Sequence, residues 1–155
     1  MSNFKMKTVV DMKMKGDVKT HARTDISVRD VSTVIDEPEA RGGTNQGLTP
    51  TETLIASLVG CTNVITQRIA EKMGIEIGQM QVDAAAKFDR RGVALEEEIE
   101  VPFPTVVLDI DIQTNASEEQ MTQLRADLVR FCPIAKVIRG AGTTIEENWT
   151  VKPLS

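Results

Sequence analysis

Between Glu52 and Arg68 the chain carries no charged residue, and apolar side chains recur at Leu54, Leu58, Cys61, Ile65 and Ile69, with Ile55, Val59 and Val64 widening the stripe. That spacing is the period of a helix. Thr49 can cap its first turn, Pro50 suits the first helical position, and Glu52 stands fourth in a capping box. Gly74 supplies the left-handed residue that ends helices. A helix is therefore predicted over residues 50–73, a rod of about 36 Å at roughly 1.5 Å per residue. Its apolar positions run most of the way round, so it is expected to be a core helix buried on more than one side. Rich in Thr, Ser and Asn, its uncharged interval is too short for a bilayer, which takes about 20 mostly apolar residues.

Elsewhere the period is two. From Phe4 to Met14 the even positions read Phe, Met, Thr, Val, Met, Met and the odd ones are mostly Lys or Asp, the signature of a half-buried strand. Gly16-Asp17 offers a turn, and residues 18–24 can return as the second strand of a hairpin that holds His21 and Arg23. Residues 26–36 read as further strand, broken near Arg29-Asp30, and 38–47 as a Gly-rich loop. After Gly74, strand is predicted over 79–88, a turn over 89–92 and a solvated acidic edge or loop over 93–104. Val106, Leu108, Ile110 and Ile112 alternate with polar or exposed positions as a clear strand. Ser117 and Gln120 form a second capping box, ahead of a helix whose buried face is Met121, Leu124 and Leu128. Cys132-Pro133 interrupts that helix and opens a short one stopped by Gly140, and residues 145–151, with Trp149, close the chain as a strand. Segregated strands and helices imply an α+β fold, an antiparallel sheet packed on a long central helix, in one domain over residues 1–155. The sheet covers one side of the helix; a second copy of the same chain is the economical cover for the other, giving a homodimer.

The 155 residues carry a formal charge of −5 and no Tyr, with aromatic residues at 3%. This balance argues against nucleic acid and acidic membrane surfaces as partners, since phosphate binding needs a basic field and base stacking needs aromatic faces. Residues 1–15 alternate charged and apolar side chains, unlike a signal peptide, so a cytoplasmic location is expected. Two Cys in a reducing compartment read as redox-active or simply buried.

Two Cys 71 positions apart (132 minus 61) and one His are too few for a zinc site, and Gly42, Gly43 and Gly47 match no phosphate-binding pattern. No metal or cofactor is expected. A Cys-His pair using His21 is formally possible, and both thiols could be packing residues. Against simple packing, Cys132 sits at the start of a helix opened by Pro133, where peptide dipoles favour a thiolate, so local physics makes it the more acidic of the two. Cys61, mid-helix, would need a cation, and Arg23, Arg29 and Arg41 all precede the helix. A close thiol pair beside an Arg would reduce a peroxide through sulfenic acid and then a disulfide.

The order DEPEARGGTNQGLTPTETLIASLVGC over 36–61, with FCPIAKVIRGAG over 131–142, resembles the OsmC/Ohr family of osmotically induced and organic hydroperoxide resistance proteins. The resemblance covers nearly the whole chain. It implies an intertwined α+β homodimer and thiol-dependent reduction of organic hydroperoxides or hydrogen peroxide, with an external dithiol as reductant. It also implies Cys61 as the attacking and Cys132 as the resolving cysteine, beside a catalytic Arg for which Arg23 in the first hairpin fits best and Arg29 is the second choice. Thr51 stands where the better known branch has its Glu, and Glu52, one position later, is the candidate acid as well as the cap. A non-catalytic protein that binds an apolar small molecule is the alternative from a different class.

Overall fold

The structure, a computed structural model, describes residues 7–155. The chain forms two compact units, Met1–Thr53 and Leu54–Ser155.

The first unit holds an antiparallel sheet of β1 (Lys15–Val18), β2 (Thr24–Val28) and β3 (Val31–Ile35) in that order. The break predicted near Arg29-Asp30 is the β2–β3 turn, with Arg29 at φ 55. The strand predicted over 4–14 is not formed where it can be judged: residues 7–14 are exposed coil, and residues 4–6 lie outside the described residues. Gly16-Asp17 is not the turn but part of β1, and the chain reverses over Lys19–Arg23, where the Lys19 and Thr20 amides both donate to the Arg23 carbonyl.

The loop that follows β3 is tied to Asp36, which is fully buried. Its carboxylate accepts from the amides of Glu37 (2.8 Å), Thr44 (3.2 Å) and Gln46 (3.1 Å), and from the Thr44 hydroxyl. Two glycines make this knot possible: a Cβ on Gly43 would stand 1.9 Å from the Glu37 carbonyl oxygen, and one on Gly47 2.0 Å from that of Val34. The loop delivers the chain to α1 (Pro50–Met73), which has the predicted bounds, with Gly74 left-handed at φ 69. Its capping box is reciprocal: Glu52 N–H donates to Thr49 Oγ1 (3.2 Å) and Thr49 N–H to Glu52 Oε2 (2.9 Å).

The second unit carries most of α1, then β4 (Ile77–Ala86), β5 (Thr105–Thr114), α2 (Glu118–Phe131), α3 (Pro133–Gly140) and β6 (Thr144–Lys152). β4 pairs antiparallel with β5, but β6 pairs parallel with β5, so this sheet is mixed where an antiparallel one was expected. The reason is topological: α2 and α3 form a crossover, which returns the chain to the same end of the sheet. Ser117 and Gln120 build the predicted capping box of α2. On β5, Val106, Leu108, Ile110, Ile112 and Thr114 are buried and alternate with half-buried or exposed residues. The four aliphatic ones pack in one cluster with Leu58, Ile69 and Ala70 of α1, Met121, Leu124 and Leu128 of α2, and Ala135 and Ile138 of α3. Full burial of each such aliphatic side chain stabilises by about 1.5–3 kcal/mol.

Helix α1 is buried along one stripe only, Leu58, Thr62, Thr66, Ile69 and Ala70. Burial on more than one side is not met within a single chain, because Leu54 is 39% and Val64 46% exposed.

Candidate active site

The core of the second unit brings the two cysteines together. Cys61 projects from the middle of α1, half-buried, while Cys132 is 1% exposed and ends α2 as it caps α3. Pro133 is what stops α2: it cannot continue the amide ladder, yet fits the first position of the next helix. The Cys132 thiol donates to Cys61 Sγ at 3.1 Å, so two residues 71 apart in sequence are in contact. A Cβ on Gly60, the residue before Cys61, would meet nothing within 4 Å.

The acidity expected of Cys132 is reversed. Its sulfur does accept the Ala135 N–H at 3.5 Å, as a helix cap should, and that bond favours the thiolate. Burial is the larger effect and pushes the thiol up from its ordinary value, and hydrogen bonding to Cys61 adds to the rise. A protonated Cys132 is thus the hydrogen-bond donor of the pair, and Cys61 the acceptor.

Behind Cys132 lies a small cavity lined by Leu58, Leu108, Leu128 and Ala135, and also by Arg139 of α3 and Glu147 of β6. Arg139 Nη2 is 3.9 Å from Glu147 Oε2, while Arg139 Nη1 and Glu147 Oε1 are buried without a partner. Burial pushes the Glu147 carboxyl up, and Arg139 opposes the rise. From α2, the Arg125 guanidinium lies 5.7 Å from the centre of the Trp149 ring. Neither Arg139 nor Glu147 figures in the expectations from sequence. Both were signalled: Glu147 is the acid in the inward series Ile145, Glu147, Trp149 of β6, and Arg139 falls seven positions after Cys132 (139 minus 132), two turns along the same helix face.

The other candidates belong to the first unit and are engaged there. Arg23 forks onto Asp25, with Nε at 2.8 Å from Oδ1 and Nη2 at 3.3 Å from Oδ2. Glu52 is the cap of α1, Arg41 pairs with Glu37 at 2.7 Å, and Arg29 lies 3.9 Å from Asp30. His21 packs on Gly42, where a Cβ would come within 2.9 Å of its Nε2. Among the described residues no group of three or more His, Cys, Asp and Glu could hold a metal ion, and no helix is long and apolar enough to cross a membrane.

A family model described as OsmC-like protein matches residues 43–148. The chain belongs to that family. Its fold is similar to that of the OsmC-like protein from Mycoplasma pneumoniae, with TM-score 0.74, 14% identity and coverage of 94% of this chain and 99% of that one. An organic hydroperoxide resistance protein from Elizabethkingia anophelis is similar at TM-score 0.64 and 19% identity, covering 96% of this chain and 100% of that one. So is the organic hydroperoxide resistance protein OsmC from Legionella pneumophila, at TM-score 0.64 and 16% identity, over 94% of this chain and 99% of that one. No curated protein matches the sequence.

Proposed function

We propose that the protein is a two-cysteine peroxidase that reduces organic hydroperoxides or hydrogen peroxide and is restored by an external dithiol. The observation that carries the reading is the 3.1 Å contact of Cys132 with Cys61. The Cys61 thiolate attacks one peroxide oxygen, the O–O bond breaks, and the other oxygen leaves as an alcohol or water after taking a proton. Cys61 is then a sulfenic acid. Cys132 displaces hydroxide from it, which leaves as water, and the disulfide forms without further electrons. A dithiol exchanges through Cys61, the less buried sulfur, and becomes the oxidised product. Membership of a family that includes hydroperoxide resistance proteins supports this chemistry.

Arg23 and Glu52 are proposed contributors from the first unit. Conservative replacements, Arg23→Lys and Glu52→Gln, test them: a loss in kcat/KM with an unchanged melting temperature assigns a catalytic part. A second copy of the chain is the proposed partner, supported by the open apolar positions Leu54 and Val64 of α1. Sedimentation giving a monomer mass at micromolar concentration would remove it.

The test of the activity is turnover of cumene hydroperoxide with a dithiol. Cys61→Ser is expected to lower kcat/KM by on the order of 1000-fold or more. Cys132→Ser is expected to keep the first attack and lose the intramolecular disulfide, read by mass spectrometry. An intact protein that consumes no peroxide, and whose thiols gain neither oxygen nor a bridge, favours the binding of an apolar small molecule instead.

A further inference from the structure

The cavity behind Cys132 is apolar on most of its wall, and two charged side chains enter it, Arg139 and Glu147. An ion pair sealed there for stability alone would be matched atom for atom, because a buried donor or acceptor left unpaired costs about 1–3 kcal/mol. This one is not matched: its closest approach is 3.9 Å, and Arg139 Nη1 and Glu147 Oε1 both lack a partner. Outside the cavity lining, Arg125 of α2 also bears on Glu147, and its buried Nε is unpartnered. The charged and reactive groups that line the cavity are thus one cation, one carboxyl and one thiol that must become an anion when it reacts.

We propose that Arg139 is the positioning cation of the second thiol, favouring the Cys132 thiolate, and that Glu147 holds Arg139 at the cavity and moderates its charge. The role of that thiolate in turnover rests on the peroxidase reading above. It is needed twice. Cys132 attacks the Cys61 sulfenic acid as a thiolate, with S–S formed, S–O broken and hydroxide released. When a dithiol attacks Cys61, the S–S electron pair departs on Cys132, and leaving thiols of lower pKa leave faster. Burial works against both events, and a guanidinium opposes it without needing a proton of its own. Of the charged or titratable groups on the surrounding elements, Cys61 of α1 touches Cys132, Arg139 of α3 and Glu147 of β6 share its cavity, and Arg125 of α2 acts on Glu147, while β5 presents Leu108 to the cavity.

The experiment titrates Cys132 alone, in full-length Cys61→Ser protein, by ultraviolet thiolate absorbance and by the pH dependence of alkylation. Arg139→Gln is expected to raise the midpoint by about one pH unit, and Glu147→Gln to lower it by about half a unit. Arg139→Lys, which keeps the charge, is expected to restore most of the shift and serves if the Gln variant folds poorly. Opposite signs for the two Gln variants support the proposal, since a general loosening of the core would move both the same way. A midpoint unmoved by Arg139→Gln, or moved in one direction by both, overturns it. No peroxide is used, so this result stands apart from the activity: an inert protein with the two opposite shifts keeps Arg139 in its role and removes only the peroxidase reading.

Discussion

Asp36 of the first unit is fully withdrawn from water and meets four donors, the amides of Glu37, Thr44 and Gln46 and the Thr44 hydroxyl. Glu147 of the second is largely withdrawn too, yet its Oε1 meets none and its nearest cation is 3.9 Å away. The same functional group ends at opposite extremes: donors led by the Thr44 hydroxyl hold Asp36 far below the usual carboxylate range, whereas burial pushes Glu147 above it. Where every lone pair is answered, a buried charge fastens a loop; where it is not, the charge stays available to a neighbour.

The largest effect expected from breaking this contrast is at Asp36. Asn cannot accept from four donors with a single oxygen, and its own N–H₂ would face the amides, so Asp36→Asn is expected to lower the melting temperature by roughly 5 °C or more. The acid limb gives the sign independently. A depressed folded value means that stability is complete above the ordinary value of 3.8 and is lost as pH falls below it. Asp36→Asn should therefore flatten the loss of stability between about pH 4 and pH 2; an equally steep acid limb in the variant would show that Asp36 is not its source.

Asp36 also explains what was legible in the sequence. The DEP, GG and G residues that carry the family resemblance are Asp36 with its neighbours and Gly42, Gly43 and Gly47, and their observed work is closing the knot before α1. Helix α1 and the interruption at Cys132-Pro133 could be placed because caps, prolines and glycines act locally. The parallel pairing of β6 could not, because its register is set by β5 across the α2–α3 crossover. Residues 7–14 show the limit of period-two reasoning: alternation makes a strand possible, but a partner edge must be there to pair it. Arg139 escaped notice because its relation to Cys132 runs along a helix face, and Glu147 because an acid amid Ile145 and Trp149 reads as ordinary strand polarity.

A middle case sharpens the comparison without any ionised group. Ser117 accepts from Gln120 N–H at 3.2 Å and Gln120 Oε1 accepts from Ser117 N–H at 2.9 Å, a satisfied but neutral and exposed cap. Ser117→Ala is expected to cost about 1 kcal/mol, or roughly 2–4 °C in melting temperature, with no change in the acid limb. A loss as large as that of Asp36→Asn would mean that burial and charge add little to the donor arrangement itself.

The smallest change is expected at Glu147. Desolvation outweighs the attraction of Arg139 there, so the charged form of the carboxyl contributes nothing net to the fold, and Gln keeps its shape without the charge. Glu147→Gln is expected to melt within about 2 °C of the parent at pH 7. Its pH dependence has the opposite sign to that of Asp36. A raised folded value means that the stabilising contribution is complete below the ordinary value of 4.5 and disappears as pH rises through the folded one. The parent should thus lose stability relative to Glu147→Gln as pH climbs from about 4 towards neutrality, over the range in which Asp36 is already fully ionised. Differential scanning at several pH values separates the two carboxylates in a single pair of variants. A neutral-pH loss at Glu147→Gln comparable to that at Asp36→Asn would make the Arg139–Glu147 pair a structural bond, and leave Arg139 no freedom to serve the thiol.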